Sequence, residues 1–177
     1  MDVTGLIFDR TQADVIYAKN NPSSREYLKG ALNNIDLNRI EYWCRYIADV
    51  MNTLGFTNSI QTVKNIQLTT YNDLTNYEYQ DFIFLTYNDL TLTGGWEKDD
   101  ILYIEDLNTI RQNIKTLRDI MNVDTDIEIN IDNSIDYIQV NNMEKVLYDL
   151  KVTIENLTKG FAYTGAYYAS TQEQLTY

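Results

Sequence analysis

The sequence predicts a mainly α-helical protein: a three-helix bundle built from repeated helices, with a small β-rich insertion and an extended C-terminal tail. Three observations carry that expectation. The stretch "DLNRIEYWCRYIADVMN" at 36–52 is nearly rewritten as "DLNTIRQNIKTLRDIMN" at 106–122. Apolar residues in both copies recur in alternating steps of three and four, which places them on one face of an α-helix. A third, degenerate copy keeps the phase through Val140, Met143, Leu147, Leu150, Ile154 and Leu157, with Asn141 and Glu144 matching Asn38 and Glu41. Striped helices too short for a free coiled coil bury their stripes most simply against one another.

The elements follow in order. A first short helix is expected from Asp9 as N-cap, with Ala13, Ile16 and Tyr17 as its apolar stripe, ending at Asn20–Asn21 and Pro22, the only proline. "SSREYLKGALNN" reads as a second short helical piece or a turn, interrupted by Gly30. The first repeat copy starts at Asp36 as N-cap and ends at Gly55, which suits the left-handed residue after a helix. Its stripe is Leu37, Ile40, Cys44, Ile47, Met51 and Leu54, and Tyr42, Trp43, Tyr46 and Val50 widen it, so more than one face is expected to be covered.

Between the copies the composition shifts to Thr, Ile, Tyr and Phe with partial alternation, and "YNDLT" occurs at 71–75 and 87–91. That predicts a β-rich insertion over about 58–95. The second copy is expected to be capped by Asp106. "DTDIEINID" alternates acids with Ile127, Ile129 and Ile131, as a half-buried strand or extended edge would. Gly160 is read as the end of the third copy. Residues 1–160 then form the bundle domain and 161–177 an extended tail without helical period.

Composition narrows the function classes. The chain has 177 residues, 44% hydrophobic, and a net charge of -12. With only 14 Lys and Arg, neither nucleic-acid phosphates nor an anionic membrane is a natural partner. There is no His, which removes the commonest general base and transition-metal ligand. The single Cys44 allows no intrachain disulfide and sits on the apolar stripe, as a buried thiol does. The opening stretch has Asp2 where a signal peptide needs positive charge, and no run reaches the roughly 18 apolar residues of a membrane span. Synthesis in the cytoplasm is expected.

No reactive constellation stands out. The acids Asp124, Asp126, Glu128 and Asp132 invite a calcium loop, but its sixth and twelfth positions would be Ile129 and Ile135, where Gly and Glu are required. Alternation of acid and Ile is what a strand with one wet face needs. No Gly-rich phosphate loop, nucleophile elbow or metal motif is present. The reading is no catalytic residue, no cofactor and no metal: not an enzyme. The 15 tyrosines suit contact surfaces. Phe161, Tyr163, Tyr167, Tyr168 and Tyr177 are the candidate interaction residues, since so many large rings call for a covering partner.

Three segments together resemble a known family: "IFDRTQADV", "YLKGALNNIDLNRIEYWCRYIADVMNTLGF" and "GFAYTGAYYA". They are similar to a helical module of tail and baseplate (fibre-associated) structural proteins of phages and prophages infecting low-GC Gram-positive bacteria. The residues that carry the resemblance are Asp9, Arg10, Thr11, Asp14 and Val15; Lys29, Gly30, Asn33, Asp36, Leu37, Asn38, Arg39, Ile40 and Glu41; Trp96; and Tyr163, Gly165 and Tyr168. The sequence departs from the pattern after Trp96, where an Asp-Ile-Pro segment is replaced by Asp100, Ile101 and Leu102. The resemblance implies a virion tail component, a homo-oligomer contacting other tail or baseplate proteins, with no nucleic acid and no membrane. The alternative is a carbohydrate-binding adhesion module with a Tyr-rich surface.

Overall fold

The computed structural model describes residues 5–24, 26–64, 67–68, 92–123 and 126–172, with the side chains of 67–68, 92–93 and 158–172 outside the description. The described chain is mainly helical: α1 (Gln12–Asn20), α2 (Asn34–Thr53), α3 (Ile104–Met121) and α4 (Tyr137–Gln172). A two-residue antiparallel ladder joins β1 (Gln67–Leu68) to β2 (Leu92–Thr93), with Gln67 opposite Thr93.

The stripes meet as the repeat predicts. Leu37, Ile40, Cys44, Ile47 and Met51 of α2, Leu107, Ile110, Ile114 and Leu117 of α3, and Val140, Met143, Leu147, Leu150 and Ile154 of α4 are all buried in one core. Each of these three helices touches the other two. Tyr42, Trp43, Tyr46 and Val50 are buried as well, so α2 is covered on a second side.

The three helices run in the same direction: Glu41 near the start of α2 feels Asp106 at the start of α3, and Asn113, further along α3, holds Gln61, which lies between the levels of Glu41 and Ala48. On α2 and α4, Arg39 pairs with Glu144 and, further along both helices, Tyr46 feels Glu155. Parallel helices require connections that travel back along the bundle, and hydrogen bonds trace them. Asn58 donates to the carbonyl of Ala48 at 2.8 Å, and the Val63 N–H donates to Glu41 at 2.6 Å, so 58–63 descends α2. Arg118 donates to the carbonyl of Ile127 and Arg111 to that of Asp132, so 127–132 descends α3. The Ile7 N–H donates to Glu144 and the Arg10 N–H to Asn141, so 7–10 descends α4. The repeating unit is therefore an extended return followed by a helix, three times over.

Several expectations are corrected. The N-caps are Thr11, Asn33 and Tyr103 rather than Asp9, Asp36 and Asp106. Asp14, Asp36 and Asp106 stand three residues inside, where an acid in a capping box accepts the cap residue's own N–H. The stripe of α1 faces outward: Ile16 and Tyr17 are 51% and 62% exposed, and Ala18 is the buried residue. Residues 21–24 and 26–33 form turns and irregular chain, not a helix. Gly30 lies against the backbone of α1, where a Cβ would fall 2.1 Å from the carbonyl carbon and oxygen of Asp14.

Gly55 ends α2 at φ +87°, as expected, but Gly160 does not end α4, which continues to Gln172. The extended tail is thus overturned for 161–172. A glycine costs a helix only about 1 kcal/mol, and Ala162, Ala166 and Ala169 are strong helix formers. Residues 126–131 make no strand, although Ile127 and Ile129 turn inward between exposed Asp126, Glu128 and Asn130. A β-rich insertion is not shown: 58–64 carries no strand, the ladder is two residues long, and 69–91 lies outside the described residues.

Candidate functional site

Four charged side chains meet at the start of the bundle, and all are buried: Arg10, Asp36, Arg39 and Glu144. Arg39 grips Glu144 with two parallel bonds, Nε to Oε2 at 2.9 Å and Nη2 to Oε1 at 2.8 Å. Arg10 Nη2 reaches Glu144 Oε1 at 2.8 Å and Asp36 Oδ1 at 2.9 Å, and Arg39 Nη2 also donates to Asp36. Two guanidinium groups and two carboxylates sum to zero charge, which is what makes their burial tolerable.

Other polar atoms of the cluster are engaged too. Arg10 Nε donates to the Lys29 carbonyl at 3.1 Å and its Nη1 to the Ile7 carbonyl. The Tyr27 hydroxyl donates to Asp36 at 2.7 Å. Burial opposes the charge on both arginines, but Glu144 and Asp36 outweigh it and raise both pKa values. Burial, aided by Asp36, pushes the Tyr27 hydroxyl up to about 12.

A second arrangement repeats the first on another helix. On α4, the Asn141 amide takes both main-chain groups of Arg10, accepting its N–H at 3.1 Å and donating to its carbonyl at 2.9 Å. One turn on, Glu144 accepts the Ile7 N–H and the Arg10 side chain. On α2, Asn38 accepts the Trp96 N–H at 2.6 Å and donates to its carbonyl at 2.9 Å. One turn on, Glu41 accepts the Val63 N–H at 2.6 Å and the Trp96 indole N–H at 2.5 Å. These are two equivalent seats for an extended segment. They differ in charge: Glu144 faces two guanidinium groups, whereas Glu41 is met by N–H donors, and burial raises its pKa.

On α3 the matching residues are Asn108 and Arg111. Arg there inverts the logic, donating to carbonyls of Asp132 and Ser134 and to the side chain of Gln139, while Asn108 accepts from Arg111 itself. The two-point main-chain grip appears instead at Asn113, which accepts the Gln61 N–H at 3.2 Å and donates to its carbonyl at 2.7 Å.

What these sites do chemically is hold chain. A cleft of about 820 Å³ lies between the turns and first residues of α2 on one side and 96–102 on the other, bordered by Glu26, Tyr27, Ile35, Lys98 and Asp100. Its polar groups are partly committed, Tyr27 to Asp36 and Asp100 to Lys64 at 2.8 Å. Cys44 is buried, and burial pushes its thiol up. Among the described residues no three His, Cys, Asp or Glu converge as a metal ion requires, and no helix is long and apolar enough to cross a membrane.

Four of the five candidate interaction residues fall on α4. Positions 161, 163, 167 and 168 have helical backbone and side chains outside the description, and Tyr177 lies outside it altogether. Positions 161 and 168 continue the seven-residue line of Leu147 and Ile154, while 163 and 167 fall on the other side of the helix. The resemblance residues find roles in the frame. Thr11, Asp14 and Asn33 cap helices, Gly30 allows close approach, and Arg10, Asp36 and Arg39 form the charge cluster. Asn38, Glu41 and Trp96 form a seat. Glu144 was legible only through its match to Glu41. Compared with protein-family models, curated proteins and solved structures, the chain matches none.

Proposed function

We propose that this protein is a non-enzymatic structural component of a phage or phage-like tail, at the baseplate or the attachment of a fibre, that assembles as an oligomer with other tail proteins. The observation that carries the reading is the overrun of α4. At about 1.5 Å per residue its 36 residues span about 54 Å, against about 30 Å for the 20 residues of α2. Arg39 of α2 lies beside Glu144, so the end of α2 is level with about residue 158, and about fourteen residues of α4 run on past it. The line of Leu147 and Ile154 runs on with them through positions 161 and 168. A helix that continues its core stripe beyond its described partners is suited to receiving a stripe from a neighbouring chain.

The use of Arg10, Thr11, Asp14, Asn33, Asp36, Asn38, Arg39, Glu41 and Trp96 for capping and clamping also supports the reading, because these side chains are committed to holding the fold. The test is a chain ending at Gly160. Among the described residues the buried core positions on α4 are Val140 to Ile154, all ahead of Gly160, so the shortened protein should stay folded while losing its oligomeric mass and its incorporation into tail particles. Unchanged mass and incorporation would sink the proposal.

A further inference from the structure

Besides their charge, the two seats differ in the spacing of the residues they hold. On α4 the residue whose N–H enters Glu144 and the residue held by Asn141 are Ile7 and Arg10, three apart in the chain. On α2 the equivalent residues are Val63 and Trp96. Asn38 and Glu41 are separated by the same single turn as Asn141 and Glu144, so the seat itself asks for a spacing of three.

We propose that residues 65–94 are a graft into one extended return of the repeat, and that the bundle is complete without them. Joining Lys64 to Gly95 restores Val63–Lys64–Gly95–Trp96, the spacing of Ile7–Phe8–Asp9–Arg10. The ends are already adjacent. Gln67 pairs with Thr93, so the chain leaves and returns through neighbouring strands. On the frame side, Lys64 stands 4.9 Å over the Trp96 ring and binds Asp100 at 2.8 Å, closing the junction from outside. Val63 and Trp96 are seated by Asn38, Glu41, Lys64 and Asn34, all belonging to the frame. The graft point is thus a position where the frame tolerates sequence of other lengths without disturbing its core. This inference stands on the geometry of the seats and not on the virion reading.

The test is a pair of deletions in the otherwise full chain. Removing 65–94 should leave the melting midpoint within about 4 °C of the parent and keep the Val63 and Trp96 amides protected from hydrogen exchange. Removing 64–95, which joins Val63 directly to Trp96, cannot fill both Asn38 and Glu41; it should lower the midpoint by about 8 °C or more and expose one of the two amides. Loss of folding or of amide protection on removing 65–94 overturns the proposal. Equal midpoints for the two deletions overturn the register argument behind it.

Discussion

Trp96 occupies on α2 the seat that Arg10 occupies on α4. Each has its main chain held by an Asn and its side chain by a Glu one turn later. The duplication seen as repeated apolar stripes thus extends to the polar atoms that fasten the returns. Asn38→Ala and Asn141→Ala should each leave a buried N–H and carbonyl with poorer partners, at a cost of about 1–3 kcal/mol. Asn108→Ala should cost less, since Asn108 accepts from the side chain of Arg111 and grips no main chain in the described residues. Urea unfolding of the three variants decides; equal losses would mean that the seats are not special.

Breaking the charge cluster should be severe. Arg10→Met leaves the buried carboxylates of Asp36 and Glu144 with Arg39 as the one guanidinium of the cluster, and removing one partner of a buried pair costs about 3–5 kcal/mol. Asp36→Asn should also be costly, because Asp36 accepts from Arg10, Arg39 and Tyr27 besides its capping role. A mild effect of Asp36→Asn in denaturant melts would reduce Asp36 to a helix-start residue.

The common core gives a third expectation. Ile40, Ile110 and Leu147 are at most 1% exposed, one on each helix. Truncating a buried Ile or Leu to Ala costs about 2–5 kcal/mol. All three Ala variants should melt well below the parent in calorimetry, and two neutral results would dissolve the bundle.

Glu41 makes stability depend on pH. Burial raises its pKa in the folded state, so its contribution is fully present below the unfolded carboxylate value and is lost as pH rises through the folded value. Glu41→Gln lacks that titration. The stability of the parent relative to the Gln variant should therefore fall as pH is raised from below the ordinary carboxylate range to neutrality. Denaturation midpoints at matched pH measure it, and a flat or rising difference contradicts the burial of a charged Glu41.

The helices α2 and α3 were legible because period, caps and stops agree within a few residues. Their starts were misplaced by the same three-residue step, since an acid at the third helical position of a capping box looks like an N-cap until the bond from Asn33 or Tyr103 is seen. The end of α4 was missed because a glycine signals a stop only if it turns left-handed, and Gly160 stays in the helix. The charge cluster was illegible as a cluster. Arg10 and Glu144 are 134 residues apart in the chain, and no local pattern joins them. The signal that was available was the Asn-x-x-Glu shared by α2 and α4, which encodes the seats before any coordinates are known.

The shared direction of α2, α3 and α4 has an electrical consequence. In an up-and-down bundle the peptide dipoles of neighbouring helices largely cancel; here they add. Each helix start carries about half an elementary positive charge, so one pole of the bundle bears about one and a half; at the other, the ends of α2 and α3 together carry about one negative charge, and the half-charge of α4 lies further on, at its own end. Part of the acidic composition answers that field: Asp36 sits in the first turn of α2, Glu105 and Asp106 in that of α3, and Asp136 accepts the Gln139 N–H at the start of α4. The molecule has a signed axis, and α4 runs on from its negative pole.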